Sequence, residues 1–454
     1  MSTIAAIATP RGMGGIGVIR ISGKEAIEIA DKVFVPFDGN SHLADLKGYT
    51  AKYGRIVSGN KFIDDAVALV FRAPRSYTGE DVVEISCHGG LYLTREVLRE
   101  VLNSGAVPAE PGEFTKRAFL NGKIDLSQAE AVMDLISAKS RKANLIAYSQ
   151  REGSASKKTN LIKDKLLDIS AQLSVWADYP EEDIPQLDSE LLKTNLGVIQ
   201  NEISEMIKNY DVCSALKEGV RTVIIGKPNV GKSTFMNLLT GFEKSIVTDV
   251  AGTTRDVVEE TVMVGDVPLL LCDTAGIRAT DDVVEKIGVG KAKSYAKTAD
   301  LIIAIFDSSE KLTQEDDEIL KLCKPENSII VFNKTDLDCK IESSKFSDFS
   351  GRIVEMSAAM GVGVEKFKHI TEEVVGVTDS EVLQDSVGSE RQLLILKKVD
   401  EIINNAIEDL KNSITLDAVS VLIYDAVSLL MQLTGESVTE EVVNRVFSKF
   451  CVGK

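Results

Sequence analysis

The sequence predicts a multidomain chain of mixed α/β and α+β architecture: an α+β N-terminal domain, a discontinuous all-α domain, and an α/β domain inserted within it. Three observations predict it. Residues 1–118 alternate short apolar runs with turn signals, residues 119–215 and 378–454 carry apolar positions at helical spacing, and residues 216–377 carry β-branched runs suited to buried parallel strands. At 454 residues the chain exceeds one ordinary domain, and 44% hydrophobic with 27% charged residues is usual for globular protein.

Taken in order, the runs TIAAIAT, IGVIRIS, GRIVSG, DAVALVF and DVVEISCHGG read as strands, followed by a helix over 91–102. Gly12, Gly14, Gly15 and Gly17 suggest a dinucleotide fingerprint, but the spacing is off and strand-like VIRIS follows where a helix should begin. A Rossmann reading is therefore excluded. From residue 127 glycine almost vanishes, and AEAVMDLISAK and LIKDKLLDISAQLSVWADY have helical periodicity. The break YPEEDIPQLD is a loop holding two of the ten prolines, and the next helix is expected to run to residue 211. Past residue 377, acidic TDSEVLQDSVGSE gives way to three further helical stretches. Neither helical set has a folded boundary of its own, so one interrupted helical domain is expected.

The inserted domain carries the chemistry. Residues 223–234, VIIGKPNVGKST, place Gly226, Gly231, Lys232 and Ser233 in the order G-x-x-x-x-G-K-S between an apolar strand and a helical apolar face. Such a loop turns successive backbone N–H groups around a β-phosphate, while Lys232 reaches the terminal phosphates and the Ser233 hydroxyl ligates Mg²⁺. Asn333, Lys334 and Asp336 follow the strand-like run SIIVF about a hundred residues later. Guanine presents two adjacent donors to the Asp336 carboxylate, the Lys334 stem covers the ring, and Asn333 ties this loop to the phosphate loop. Ser357 and Ala358 suit a backbone donor to the guanine oxygen. GTP is the nucleotide this set reads. Between the two loops, Asp273 of LLLCDTAG would hold Mg²⁺ through water and the Gly276 N–H would sense the γ-phosphate. The next residue is Ile277, which cannot orient a water, so the catalytic group must come from elsewhere.

No apolar run is read as approaching the eighteen or so residues that span a bilayer, and MSTIAAIATPRG lacks the features of a signal peptide, so a cytoplasmic, membrane-free protein is expected. Six scattered cysteines without a C-x-x-C pair, and three histidines, exclude a disulfide framework and a zinc site. A net charge of −17 weighs against binding DNA or RNA through the bulk field; any RNA contact would be a local patch or a partner's.

The chain resembles the MnmE (TrmE) family. The resemblance rests on TDVAGTTRD over 248–256, ATPRGMGGIGVIRISG, APRSYTGEDVVEISCHGG, PGEFTKRAFLNGKIDLSQAEAVMDLI and the ending FCVGK, and it covers essentially the whole chain. It implies a second Mg²⁺ ligand at Thr254, and a K⁺ site made by the Asn229 side chain, the Thr248 and Val250 carbonyls and Thr253. That cation would supply the charge an arginine finger gives elsewhere, an effect of roughly 10³–10⁵ in rate. Val230, Thr234, Asp249, Ala251, Gly252, Thr274 and Ala275 complete the nucleotide-contacting segments, and Arg255 is a switch residue. Glu285 is the implied water-orienting acid, though by residue chemistry alone it reads as a helix-start carboxylate.

The same resemblance makes the N-terminal domain a homodimerising, folate-binding-like domain that takes 5,10-methylene- or 5-formyl-tetrahydrofolate on Arg20, Glu84, Lys123 and Lys454. Without it, Arg20 reads as a strand-edge charge, Glu84 as a lysine's surface partner and Lys123 as a turn residue. Cys451 is the implied reactive thiol; by position alone it reads as a small hydrophobe near a ragged end. With an FAD-containing MnmG-like partner, in a heterotetramer, such proteins install aminomethyl or carboxymethylaminomethyl groups at carbon 5 of the tRNA wobble uridine. An alternative reading is a ribosome-assembly or translation GTPase switch, compatible with residues 223–360 but silent on the N-terminal domain and the ending.

Overall fold

In a computed structural model of the chain, residues 1–10, 12–39, 41–59, 61–178, 189–241, 260–271, 296–347, 349–377, 386–412 and 414–454 are described. They form two compact units, one of Met1–Met133 with Tyr424–Lys454, the other Asp134–Ile423.

The first unit holds seven strands: β1 (Ile4–Ile7), β2 (Ile16–Ser22), β3 (Phe34–Pro36), β4 (Thr50–Ser58), β5 (Lys61–Phe71), β6 (Val82–His88) and β7 (Val107–Pro108). Their order is β3-β4-β5-β6-β2-β1-β7, antiparallel except where β1 meets β7. Strand alternation sorts the two faces. Val83, Ile85 and Cys87 of β6 join Ile19 and Ile21 of β2 beneath the helices Ala26–Val33 and Leu91–Asn103, where Ile29, Val33, Val97 and Val101 are buried. On the other face Ile4 and Ala6 pack with Ala109 and Phe114. The helix Glu440–Phe447 starts at Thr439, whose hydroxyl accepts from the Val442 N–H, and Phe447 and Phe450 pack with Leu126, Ala129 and Val132. Arg117, 3% exposed, is held by Glu80 at 3.0 Å and Glu113 at 2.8 Å.

The second unit holds β8 (Val220–Ile225), β9 (Glu260–Val264), β10 (Val267–Leu271), β11 (Leu301–Asp307), β12 (Ser328–Asn333) and β13 (Arg352–Glu355), in the order β13-β12-β11-β8-β10-β9. All pairs are parallel except β9 with β10. Every residue of β11 and β12 is buried, as a parallel sheet covered on both faces requires. The unit also holds the helices Arg141–Arg151, Ser154–Asp178, Ser189–Lys208 and Tyr210–Glu218, which precede the sheet in sequence, and Glu390–Lys411, which follows it. The chain breaks at Asn209 and resumes as helix to Glu218, rather than ending near residue 211, because Cys213 and Leu216 are buried with Val220, Val267 and Leu269. Ala143 and Ile146 join that same cluster. Lys217, at the end of this helix, donates to Asp134 at 2.5 Å, Gly388 O at 2.8 Å and Gln150 at 3.3 Å, joining segments that precede the sheet in sequence to one that follows it.

One described helix, Leu416–Thr434, is long and apolar enough to cross a membrane by length and composition, with mean hydropathy 1.6. This corrects the expectation that no apolar run approaches that length: Asp417 and Asp425 break the stretch into shorter apolar pieces, but the helix as a whole stays apolar. Val419, Ile423, Ala426, Val427, Leu430 and Leu433 along it are buried in the fold.

Candidate functional site

The C-terminal ends of β8, β11, β12 and β13 point the same way, so the loops that follow them share one edge of the sheet, where open α/β sheets bind their ligands. After β8 the chain runs Gly226 to Gly231 and enters the helix Lys232–Gly241. Asn229 (φ 64°) and Gly231 (φ 94°) are both left-handed, the turn that aims N–H groups inward. Gly231 is required twice over: besides its φ, a Cβ there would lie 2.4 Å from Asn333 Nδ2. Lys232 Nζ donates to Gly226 O at 3.0 Å and Lys227 O at 2.7 Å, spanning the loop. Ser233 and Thr234 are exposed in the first helical turn, Asn229 is exposed, and Val230 is fully buried. A sequence-silent neighbour, Lys227, is 9% exposed and pairs with Asp316 and Glu310, each at 3.2 Å. Burial acts to lower its pKa, but the two carboxylates outweigh that and raise it.

β12 ends at Asn333, and Lys334 and Asp336 follow it. Asn333 is 2% exposed; its Nδ2 donates to Val230 O at 2.8 Å and its Oδ1 accepts from Ala358 N at 2.9 Å. One side chain thus joins the loop after β8, the loop after β12 and the loop after β13. Lys334 is left-handed (φ 63°), and its ammonium meets Asp307 at the end of β11 at 2.5 Å. Burial would raise the Asp307 carboxyl, yet the hydrogen bonds from Lys334 and Ser309 hold it below the usual carboxylate range. Asp336 accepts from the buried Ser357 hydroxyl, and Ser357 exchanges backbone hydrogen bonds with Val362 at 3.1 and 3.2 Å. Thr248, Asp249, Val250, Ala251, Gly252, Thr253, Thr254, Arg255, Asp273, Thr274, Ala275, Gly276, Ile277 and Glu285 lie outside the described residues.

The first unit holds a separate polar site. Arg20 of β2 and Glu84 of β6 are cross-strand partners, and Arg20 Nε meets Glu84 Oε1 at 2.7 Å. Arg20 Nη1 also donates to Gly453 O at 3.0 Å, and the guanidinium lies 5.5 Å from the centre of the Phe114 ring. The chain end is laid down by backbone contacts: Gly112 N donates to Cys451 O at 3.3 Å and Phe114 N to Lys454 O at 3.2 Å. Gly453 adopts φ 98°, and a Cβ there would lie 2.5 Å from Ile7 O. Burial first, and then the nearby Arg20 charge, lower the Lys454 pKa. The Cys451 thiol is exposed. Lys123 is exposed and donates to Pro74 O at 3.1 Å. Arg20, Glu84 and the chain end therefore converge. Asp307, Lys227 and Arg117 escape a motif search; the signal for Asp307 is a carboxylate closing the apolar run LIIAIFD at the ligand edge of the sheet.

A family model described as the MnmE helical domain matches residues 126–451, and one described as the GTP-binding protein TrmE N-terminus matches residues 3–123. The chain is 42% identical over 457 residues to the tRNA modification GTPase MnmE of Clostridioides difficile, covering 100% of this chain and 99% of that one. It is 41% identical over 461 residues to the proteins of the same name from Acetivibrio thermocellus and Bacillus velezensis, covering 100% of this chain and 99% and 100% of theirs. With one family model spanning most of its length and full-length relatives at such identity, the chain belongs to the MnmE (TrmE) family.

Proposed function

We propose that this chain is a K⁺-stimulated GTP hydrolase in tRNA modification. With an FAD-containing MnmG-like partner, it would form 5-carboxymethylaminomethyl or 5-aminomethyl uridine at the tRNA wobble position. The observation that carries the reading is the match along the full length to tRNA modification GTPases, together with a bridging Asn333 that holds the phosphate loop and base loop in one frame. The left-handed Asn229 and Gly231 and the exposed Ser233 fit a nucleotide's phosphates and Mg²⁺. Asn229 itself fits a K⁺ ligand facing solvent, completed by Thr248, Val250 and Thr253, with Thr254 and Asp273 serving Mg²⁺ and Glu285 orienting the water. The GTPase domain, 216–377, is read as an insertion between two halves of a helical domain; the support is a single family model reaching across both flanks.

The Arg20, Glu84 and Lys454 cluster fits tetrahydrofolate. The carboxylate suits the amide-like edge of a pteridine, and the two cations suit its anionic tail; Lys123 extends the cationic side. When bound, that cofactor supplies a one-carbon unit; this chain's residues bind and orient it, with Cys451 the nearby thiol. From family membership we also read a homodimer through the N-terminal domain and a heterotetramer with the partner, acting in the cytoplasm.

The test is nucleoside mass spectrometry of total tRNA from the native host with and without the gene. Loss of the 5-aminomethyl-type uridines on deletion, restored by the intact gene but not by Asp273→Ala, is expected. Persistence of those nucleosides after deletion refutes the assignment.

A further inference from the structure

The loop that follows β12 is braced by three consecutive residues at the end of β11 that belong to no nucleotide motif. Asp307 is 4% exposed; one carboxylate oxygen takes the Lys334 ammonium at 2.5 Å, and the other accepts from Ser309 N at 2.9 Å and Ser309 Oγ at 2.7 Å. Ser308, 2% exposed, donates its N–H at 2.9 Å and its hydroxyl at 2.7 Å to Asn333 O. Its own carbonyl accepts from Lys340 N at 2.7 Å and Ile341 N at 3.2 Å. Both ends of the segment 333–341 are thereby tied to the tip of one strand. Lys334 pays for its left-handed backbone within this brace.

We propose that Asp307 is a positioning residue for guanine recognition: by holding the Lys334 ammonium it fixes the aliphatic stem as one wall of the base slot, and with Ser308 it sets where Asp336 meets the base edge. The proposal rests on reading Asn333, Lys334 and Asp336 as the base-recognition loop. A free lysine side chain on four methylenes samples many rotamers around a strongly hydrated ammonium. Anchored to a buried carboxylate, it is ordered before the base arrives, and the ordering penalty is removed from binding. The pair is asymmetric: Asp307 is buried and without Lys334 would be left an uncompensated charge, whereas the Lys334 side chain, 32% exposed, would be released towards solvent.

The experiment titrates the full chain with fluorescent GDP, IDP and XDP and records melting without nucleotide. Asp307→Asn keeps an acceptor for Ser309 but no charge for Lys334, so it carries the measurement if Asp307→Ala does not fold. Exchanging a charge-assisted contact for a neutral one is expected to weaken GDP about tenfold and to narrow its preference over IDP. In a Lys334→Ala background the same change should matter less than about twofold, because the coupled partner is gone. Unchanged GDP affinity overturns the proposal. So does a loss of equal size in the Lys334→Ala background, or equal weakening of all three diphosphates with a lowered melting temperature. Asp336→Asn separates the two levels. If it leaves the preference for GDP over XDP intact, the base-loop reading itself fails; if it reverses that preference while Asp307→Asn changes nothing, only the positioning role fails.

Discussion

Replacing Asn333 by Ala tests whether the three loops at the sheet edge act as one frame. The substitution strips the partner from Val230 O and from Ala358 N, at residues 0% and 5% exposed. Leaving a buried polar group unpaired costs about 1–3 kcal/mol, so two such groups amount to roughly 2–6 kcal/mol. The loops border solvent and will relax, so about 2–3 kcal/mol is expected to reach nucleotide affinity, a loss of roughly thirty- to 150-fold for GDP. A second arm uses geometry. A Cβ at Gly231 would sit 2.4 Å from Asn333 Nδ2 at φ 94°, so Gly231→Ala alone suffers a clash and about 1–2 kcal/mol of left-handed strain. In the Asn333→Ala background the clash disappears, and the double variant should lose less than the sum of the two. Fluorescence titration with GDP measures all four proteins. Affinity of Asn333→Ala within about threefold of wild type, roughly 0.6 kcal/mol, or strict additivity in the double variant, refutes the reasoning.

Arg117→Leu removes the buried cation between Glu80 and Glu113 and should destabilise the first unit by about 3 kcal/mol, read as lost hydrogen-exchange protection across residues 107–120; unchanged protection contradicts it. Lys454 binds its proton less tightly folded than unfolded, so stability rises with pH as the folded lysine deprotonates, up to its ordinary value of 10.5. Lys454→Met should therefore raise the melting temperature at neutral pH and flatten the rise that the wild type shows below pH 10.5, while weakening tetrahydrofolate; a lower melting temperature speaks against this. Asn229→Ala should abolish the stimulation of GTP hydrolysis by potassium, and equal wild-type rates in potassium and sodium would remove the ion-site assignment.

Chain-local chemistry was readable in advance. The strand, glycine loop and helix around Lys232 announce themselves because phosphate-loop chemistry needs neighbours in sequence, and β11 and β12 are legible as wholly apolar runs because parallel strands are covered on both faces. The full-length family motifs carried the identity for the same reason: they are long and contiguous. The helix break at Asn209 was not legible, since periodicity continues through it and only packing of Cys213 and Leu216 against the sheet decides where the axis turns.

By itself, then, the sequence determined the mixed fold class, the loop that cradles phosphates, the loop bearing Asn333, Lys334 and Asp336, and the family. Tertiary structure alone decided which distant groups meet. Parallel register sets Asp307 beside Asn333, so the carboxylate closing β11 falls to Lys334. Antiparallel register sets Arg20 opposite Glu84, and the backbone of the chain end then brings Gly453 to the same guanidinium. Lys217 collects Asp134, Gln150 and Gly388 from three remote segments. A motif records residues that one ligand needs close together along the chain; a buried charge needs only a partner close in space, and that proximity exists once the sheets have set their registers.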